Sequence, residues 1–267
     1  MTGLDTAALI AVLLLGVPHG GLDGAVARRV GWPTGWRAWL SFHAAYVVLS
    51  ALVVGCWWLW PVLSLGLFLL ISAVHFGASD IAESGTEWLP WIAHGGLVCI
   101  AIPSLQSDLV APIFTTLVGP ESIPLLMDIV TSLFPLWVLS CIAYCVYAYH
   151  NKQYRQSLLS LMVLIGLVYV LPPLVSFAFY FCFWHSPGHI RRLWRSLDKA
   201  ERSRSLGEAF IYTLLAWVSV AITFLYLNSG ATESSIQITF IGLAAVTLPH
   251  MLLVDYADRA NESGALG

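Results

Sequence analysis

Five of the eight histidines of this 267-residue chain fall in four short runs: VPHGGLD (His19, Asp23), AVHFGASD (His75, Asp80), FWHSPGH (His185, His189) and LPHMLLVD (His250, Asp255). Three of these runs carry an aspartate four or five residues after the histidine. His185 and His189 are four apart, so on a helix they share one face and can bind the same ion. No thiolate and no carboxylate-ligand motif accompanies them, and an imidazole set suits iron, zinc or copper. A metal-bound histidine commonly gives its second ring N–H to a carboxylate, which fixes tautomer and orientation. Asp23 and Asp80 are placed for that role, one helical turn beyond His19 and His75. Two blander readings stand beside this one: a structural polar network for the histidines, and interfacial helix-end positions for the aspartates.

These residues must be held by membrane helices. The chain is 58% hydrophobic and 10% charged, against about 25% charged in soluble domains. Uncharged runs such as 38–60 and 207–227 are long enough to cross a hydrocarbon layer of about 30 Å. The expected fold is all-α: a polytopic integral membrane bundle of seven to nine helices, forming one membrane-embedded catalytic domain over 1–267. Helices are expected at 6–27, 38–59, 62–82, 88–104, 123–149, 156–171, 174–190, 207–227 and 236–256. Pro172-Pro173 makes the turn between the sixth and seventh, because proline cannot continue a helix. Region 104–122 reads either as a loop or as an extension of the fourth helix broken by Pro103 and Pro112. The apolar N-terminal run lacks a basic n-region and a small-residue cleavage site, and reads as the first membrane helix.

With nine helices every Lys and Arg falls on one side, from Arg28 and Arg29 through Lys152 and the basic segment 191–204 to Arg259. The opposite loops carry Asp5, Asp108, Glu121 and Glu233. The positive-inside rule then puts the N-terminus outside and the C-terminus in the cytoplasm, in the inner membrane. Segment 191–206 reads as a solvated connection touching anionic headgroups. The five cysteines lie in apolar segments, form no CxxC, and read as small buried hydrophobes. No basic stretch interleaved with aromatics suggests nucleic acid.

Depth ties the motifs together. His19 is nine residues before Arg28, His75 eight before Glu83, His185 six before Arg191 and His250 nine before Arg259. At 1.5 Å rise per residue these are roughly 9–14 Å from the cytoplasmic helix ends, on four helices that run in the same direction. Ionisable residues at such depth mark functional sites. His43 and His94 read as hydrogen-bonded interface residues outside any motif, and His150 as a solvated helix end. An HExxH zinc protease is excluded by the missing motif, and a desaturase-type HxxHH set is missing as well. Lys152 and Lys199, the two lysines, lie outside the helices, which excludes a retinal Schiff base. A cluster confined to one side does not suit haem held between both leaflets. A metal or haem transporter would need a polar path to the far leaflet, and the outer helix halves are apolar.

VPHGGLD, HFGASD, FWHSPGH and LPHMLLVD, in this order, resemble the motifs of the Brp/Blh family of membrane-embedded beta-carotene 15,15′-dioxygenases, from His19 to Asp255. The resemblance implies cleavage of the central double bond of beta-carotene with O2 to two all-trans-retinal, on an Fe(II) held by His19, His75, His185 and His189. His250 matches a family motif as an additional ligand or, with Asp23, Asp80 and Asp255, as an orienting partner. It also implies supply of retinal to a rhodopsin. The aromatic run before His185 is expected to line a polyene tunnel through Phe179, Tyr180, Phe183 and Trp184; ordinary helix packing is the alternative for each. An oxygenase acting on another polyene lipid would share the same iron site.

Overall fold

The computed structural model describes residues 2–32, 35–82, 84–85, 87–227 and 230–262, with side chains up to residue 257. Glu83, used above as a depth marker, lies outside the described residues, as does the side chain of Arg259. Among the described residues there is no strand, and ten helical stretches follow one another. They are α1 (Gly3–Arg29), α2 (Trp36–Leu59), α3 (Pro61–Ile81), α4 (Trp88–Leu105), α5 (Ser107–Val118), α6 (Pro120–His150), α7 (Lys152–Val170), α8 (residues 173–196), α9 (Lys199–Tyr226) and α10 (Ala231–Glu262). Eight of these are long and apolar enough to cross a membrane, α5 and α8 being the exceptions. α8 is helical throughout, but His185, His189 and the arginines at 191, 192 and 195 lower its hydropathy.

The protein is a multi-pass membrane protein. Large aliphatic and aromatic side chains stand exposed along α2, α6, α7 and α9, among them Val47, Leu52, Leu139, Val163, Phe210 and Leu215. Apolar surface of that extent is costly in water and is at home against acyl chains. Trp36, Trp58, Trp60 and Trp88 are exposed at helix ends, the interfacial position where an indole has apolar and polar surroundings together.

Several boundaries differ from expectation for local reasons. Region 104–122 holds the twelve-residue helix α5, entered at Gln106 and ended at Gly119. The Gln106 amide turns away and donates to the carbonyls of Val168 and Leu171, satisfying the end of α7 at the Pro172 turn. α9 begins at Lys199, well before 207, because Asp198 caps it by accepting from the Glu201 amide at 2.8 Å. Such a cap is worth about 1 kcal/mol, enough to make the basic segment helical.

The chain forms two compact units, each built from separate stretches: residues 1–11 with 61–188, and residues 12–60 with 189–267. In the first unit α3 packs along α4, and α4 along α6. A side chain at Gly95 would run into the Ala73 carbonyl, so only glycine lets these two backbones approach that closely. The Trp137 indole donates to the Ala93 carbonyl at 2.9 Å and ties α6 to the same contact. In the second unit α10 packs on α2, and α9 on residues 17–22. There Gly21 meets the Ala209 backbone. Leu22, Val26, Phe42, Leu193, Leu197 and Leu253 close an apolar core. Arg28 is held by the Glu208 carboxylate at 2.5 Å and by Ser205 at 2.9 Å.

Candidate metal centre

All five motif histidines are buried, none more than 7% exposed. Their helices are locally irregular. His19 sits in a tight 3-10 stretch (Val17–Leu22) that follows a wide π turn (Val12–Gly16). His185 closes a second π turn, Tyr180–His185. Pro249 precedes His250 and removes the backbone donor that the Ala245 carbonyl would otherwise receive. Prolines, glycines and aromatics at the motifs thus widen or tighten single turns, a feature common at functional positions.

In the first unit, His75 on α3 and His185 on α8 face one another, ring centroids 5.2 Å apart. Asp80, one turn along α3 from His75, bonds to His185 instead: its Oδ1 lies 3.3 Å from His185 Nδ1. Its Oδ2 accepts the Tyr180 hydroxyl at 2.7 Å. The His185 ring stacks on Phe181 and meets the edge of Phe76, at centroid distances of 5.9 and 4.7 Å. A second imidazole, His94 on α4, stands on the other side of Asp80, its Nδ1 4.0 Å from Oδ2.

In the second unit, His19, His189 and His250 form a triangle with ring centroids 5.1–5.7 Å apart. The His19 Nδ1 is 2.5 Å from the Gly16 carbonyl on its own helix. Asp23 reaches across to His250, Oδ1 to Nδ1 at 2.7 Å. Its Oδ2 accepts the Tyr46 hydroxyl at 2.9 Å. The same three residue types therefore recur in both units: a tyrosine hydroxyl and an imidazole N–H on the two oxygens of one buried carboxylate. The expectation that each aspartate serves the histidine of its own motif is corrected, since Asp23 serves His250 and Asp80 serves His185. A side chain four or five positions on leaves the helix on nearly the same face as the histidine, and a short carboxylate on that face reaches the neighbouring helix more easily than its own.

The donor set fits a transition-metal ion chemically. Nδ1 of His19, His185 and His250 is engaged by an oxygen, the arrangement in which a metal-bound imidazole ligates through Nε2. In the second unit the rings meet edge to face, and among the described residues no three His, Cys, Asp or Glu side chains already enclose a metal position.

The other expected positions divide. Asp255 lies half-buried on α10, a turn beyond His250. Phe183 is 61% exposed, and Phe179 and Trp184 more than a third exposed, on apolar surface open to lipid. Tyr180 is buried, with its hydroxyl committed to Asp80, so it holds the polar network. His43 is a hydrogen-bonded interface residue, between the Trp39 carbonyl and the Tyr212 hydroxyl, and His150 is exposed at the end of α6. Tyr46, Ser157 and the polar surroundings of His94 were not foreseen. Nothing in the runs around them marks them, because their partners are remote in sequence.

Fold and site together define a class: a polytopic helical membrane protein with buried imidazoles held by buried carboxylates. Over residues 10–258 the chain matches the family model described as beta-carotene 15,15′-dioxygenase. It is 36% identical to the beta-carotene 15,15′-dioxygenase of uncultured marine bacterium 66A03, across 97% of this chain and 96% of that one. No solved structure matches it. The chain belongs to the beta-carotene 15,15′-dioxygenase family, and is thus an enzyme of the carotenoid cleavage dioxygenase class.

Proposed function

We propose that this protein cleaves the central 15,15′ double bond of beta-carotene with O2 to two molecules of all-trans-retinal, and that His19, His75, His185 and His189 hold the iron(II) it uses. The observation that carries the reading is a chain of this family that buries all its motif imidazoles and sets a carboxylate on Nδ1 of His185 and of His250. Bound iron(II) would supply a redox-active centre at which O2 and an alkene can react, which zinc cannot. Asp80 with Tyr180 keeps His185 in one tautomer and one orientation, and Asp23 with Tyr46 does the same for His250, as an additional ligand or an orienting partner. Neutral imidazoles leave the ion its full charge in surroundings that exclude water. Asp255 contributes negative charge near the end of α10.

Beta-carotene is an apolar polyene dissolved in the bilayer. Phe179, Phe183 and Trp184 present aromatic surface to lipid on the approach to His185. Each square ångström of polyene they cover contributes about 25 cal/mol, and positioning of the polyene midpoint sets the site of cleavage. In this reading the whole chain, 1–267, works as one catalytic domain of the inner membrane, with its basic segments cytoplasmic and its N-terminus outside. Its product would supply a rhodopsin.

The test is expression in carotenoid-producing cells with chromatography of the pigments, followed by assay of purified protein after chelation and after return of Fe(II) or Zn(II). Retinal should appear, vanish on chelation and return with Fe(II) alone. Undiminished beta-carotene and no retinal from folded, iron-loaded protein would overturn the proposal. Products from a different polyene would reassign the substrate, and uptake of labelled metal into proteoliposomes would favour transport.

A further inference from the structure

His94 lies in no motif, yet it is among the most enclosed polar residues of the first unit. It is 1% exposed on α4, followed by a π turn at Leu97–Ala101. Its Nε2 is 2.9 Å from the Ser157 hydroxyl on α7, and its ring meets the edge of Tyr144. Its Nδ1 is buried without a hydrogen-bond partner, 4.0 Å from Asp80 Oδ2. An enclosed ring nitrogen left in this way costs about 1–3 kcal/mol, and such exceptions call for an explanation. Its position supplies one. An acceptor-only carboxylate beside Nδ1 favours the tautomer with the ring proton on Nδ1, and Nε2 is then the acceptor for the Ser157 hydroxyl; the same carboxylate takes the Tyr180 hydroxyl and His185 Nδ1.

We propose that His94 is a positioning residue for His185, acting through Asp80. Ser157 supports that tautomer. Its Nδ1–H dipole then faces Oδ2, steadies the carboxylate charge and, together with Tyr180, resists rotation of the carboxylate away from His185. The close approach of α3 and α4 at Gly95, the next residue, is what brings the imidazole to Asp80. The inference rests on the reading of His185 as an iron ligand.

The experiment uses the full-length purified protein, loaded with Fe(II) and treated with nitric oxide, so that the electron paramagnetic resonance of the nitrosyl adduct reports the ligand field apart from turnover. His94→Phe keeps an aromatic ring and deletes both nitrogens, His94→Gln restores an amide donor, and Ser157→Ala removes the hydroxyl that supports the tautomer. His94→Phe should keep its helicity, change the nitrosyl line shape and lower kcat about tenfold with KM within about twofold, and His94→Gln should recover at least about half of the loss. Ser157→Ala should shift the signal in the same direction by less. A wild-type signal and kcat in His94→Phe would overturn the proposal, as would His94→Gln as impaired as His94→Phe. If His94→Phe does not fold, Ser157→Ala decides, and a wild-type signal and kcat there overturns it. Failure of the iron reading is distinguishable, because the wild-type protein itself would then give no nitrosyl signal.

Discussion

Replacing Asp80 by asparagine separates the charge of this side chain from its shape. The carboxylate is 3% exposed and holds two partners, the Tyr180 hydroxyl at 2.7 Å and His185 Nδ1 at 3.3 Å. A hydrogen bond to a charged group contributes about 1.5–3 kcal/mol and a neutral one about 1. The short tyrosine bond belongs to the first class, and the long imidazole bond counts as about 1. Asparagine is isosteric but has a single acceptor oxygen, so it retains one neutral bond and turns an NH2 towards the other partner. The net loss is about 1.5–3 kcal/mol, or roughly 10–150-fold at 1.4 kcal/mol per factor of ten. That agrees with the 10–100-fold typical when the partner of a metal-bound histidine is removed. Because His185 is the group released, the loss should appear in iron affinity and in the rate of retinal formation. Competition of purified Asp80→Asn with a calibrated Fe(II) chelator, beside chromatography of retinal, measures both. Iron affinity and turnover within about threefold of wild type would refute the assignment of Asp80 as the group that holds His185, since the smallest loss worked out above exceeds that.

The second unit allows a parallel test: Tyr46→Phe removes the hydroxyl bonded to Asp23 at 2.9 Å and should cost about 1.5–3 kcal/mol of orientation at His250, read as lower iron retention on chelation with unchanged helicity. His250→Ala should weaken iron retention more than Tyr46→Phe if His250 is an added ligand, and about equally if it orients the site, a comparison that chelator competition makes directly. Gly95→Val drives a branched side chain into the Ala73 carbonyl; overpacking of this kind costs about 1–3 kcal/mol or more and should lower the thermal midpoint of the detergent-solubilised protein. Phe183→Ala removes exposed aromatic surface and should raise KM for beta-carotene with little change in kcat, because the contact is made equally in ground and transition states, as steady-state retinal assays would report.

Much of the fold was legible in the sequence because a bilayer imposes a simple rule: backbone polar groups must be satisfied within each segment, so apolar runs of sufficient length become helices. Prolines marked turns such as the one before α8. Less legible were α5, where a loop and a proline-broken extension of the fourth helix both fitted the sequence while Gln106 and Gly119 frame a separate helix, and the start of α9, where a single cap at Asp198 outweighed the polar composition that followed. The burial of His19, His75, His185 and His250 was foreshadowed by their distance along the chain from the next charged residue, whereas that count put His189 nearer the helix end.

The sequence by itself determined which residue types were set at which level: imidazoles in four helices, and aspartates a turn away on three of them. Those are facts about position along one axis. Only the tertiary structure decided how they pair. Asp23 bonds to His250, 227 positions away, and Asp80 to His185, 105 positions away. Tyr46, Tyr180 and His94 join the carboxylates from helices that carry no motif or a different one. The physical reason is direction. Spacing fixes how far along a helix a side chain leaves it, whereas its partner is fixed by which neighbouring helix that face meets. That in turn depends on close approaches such as Gly95 on Ala73 and Gly21 on Ala209, which no local pattern encodes.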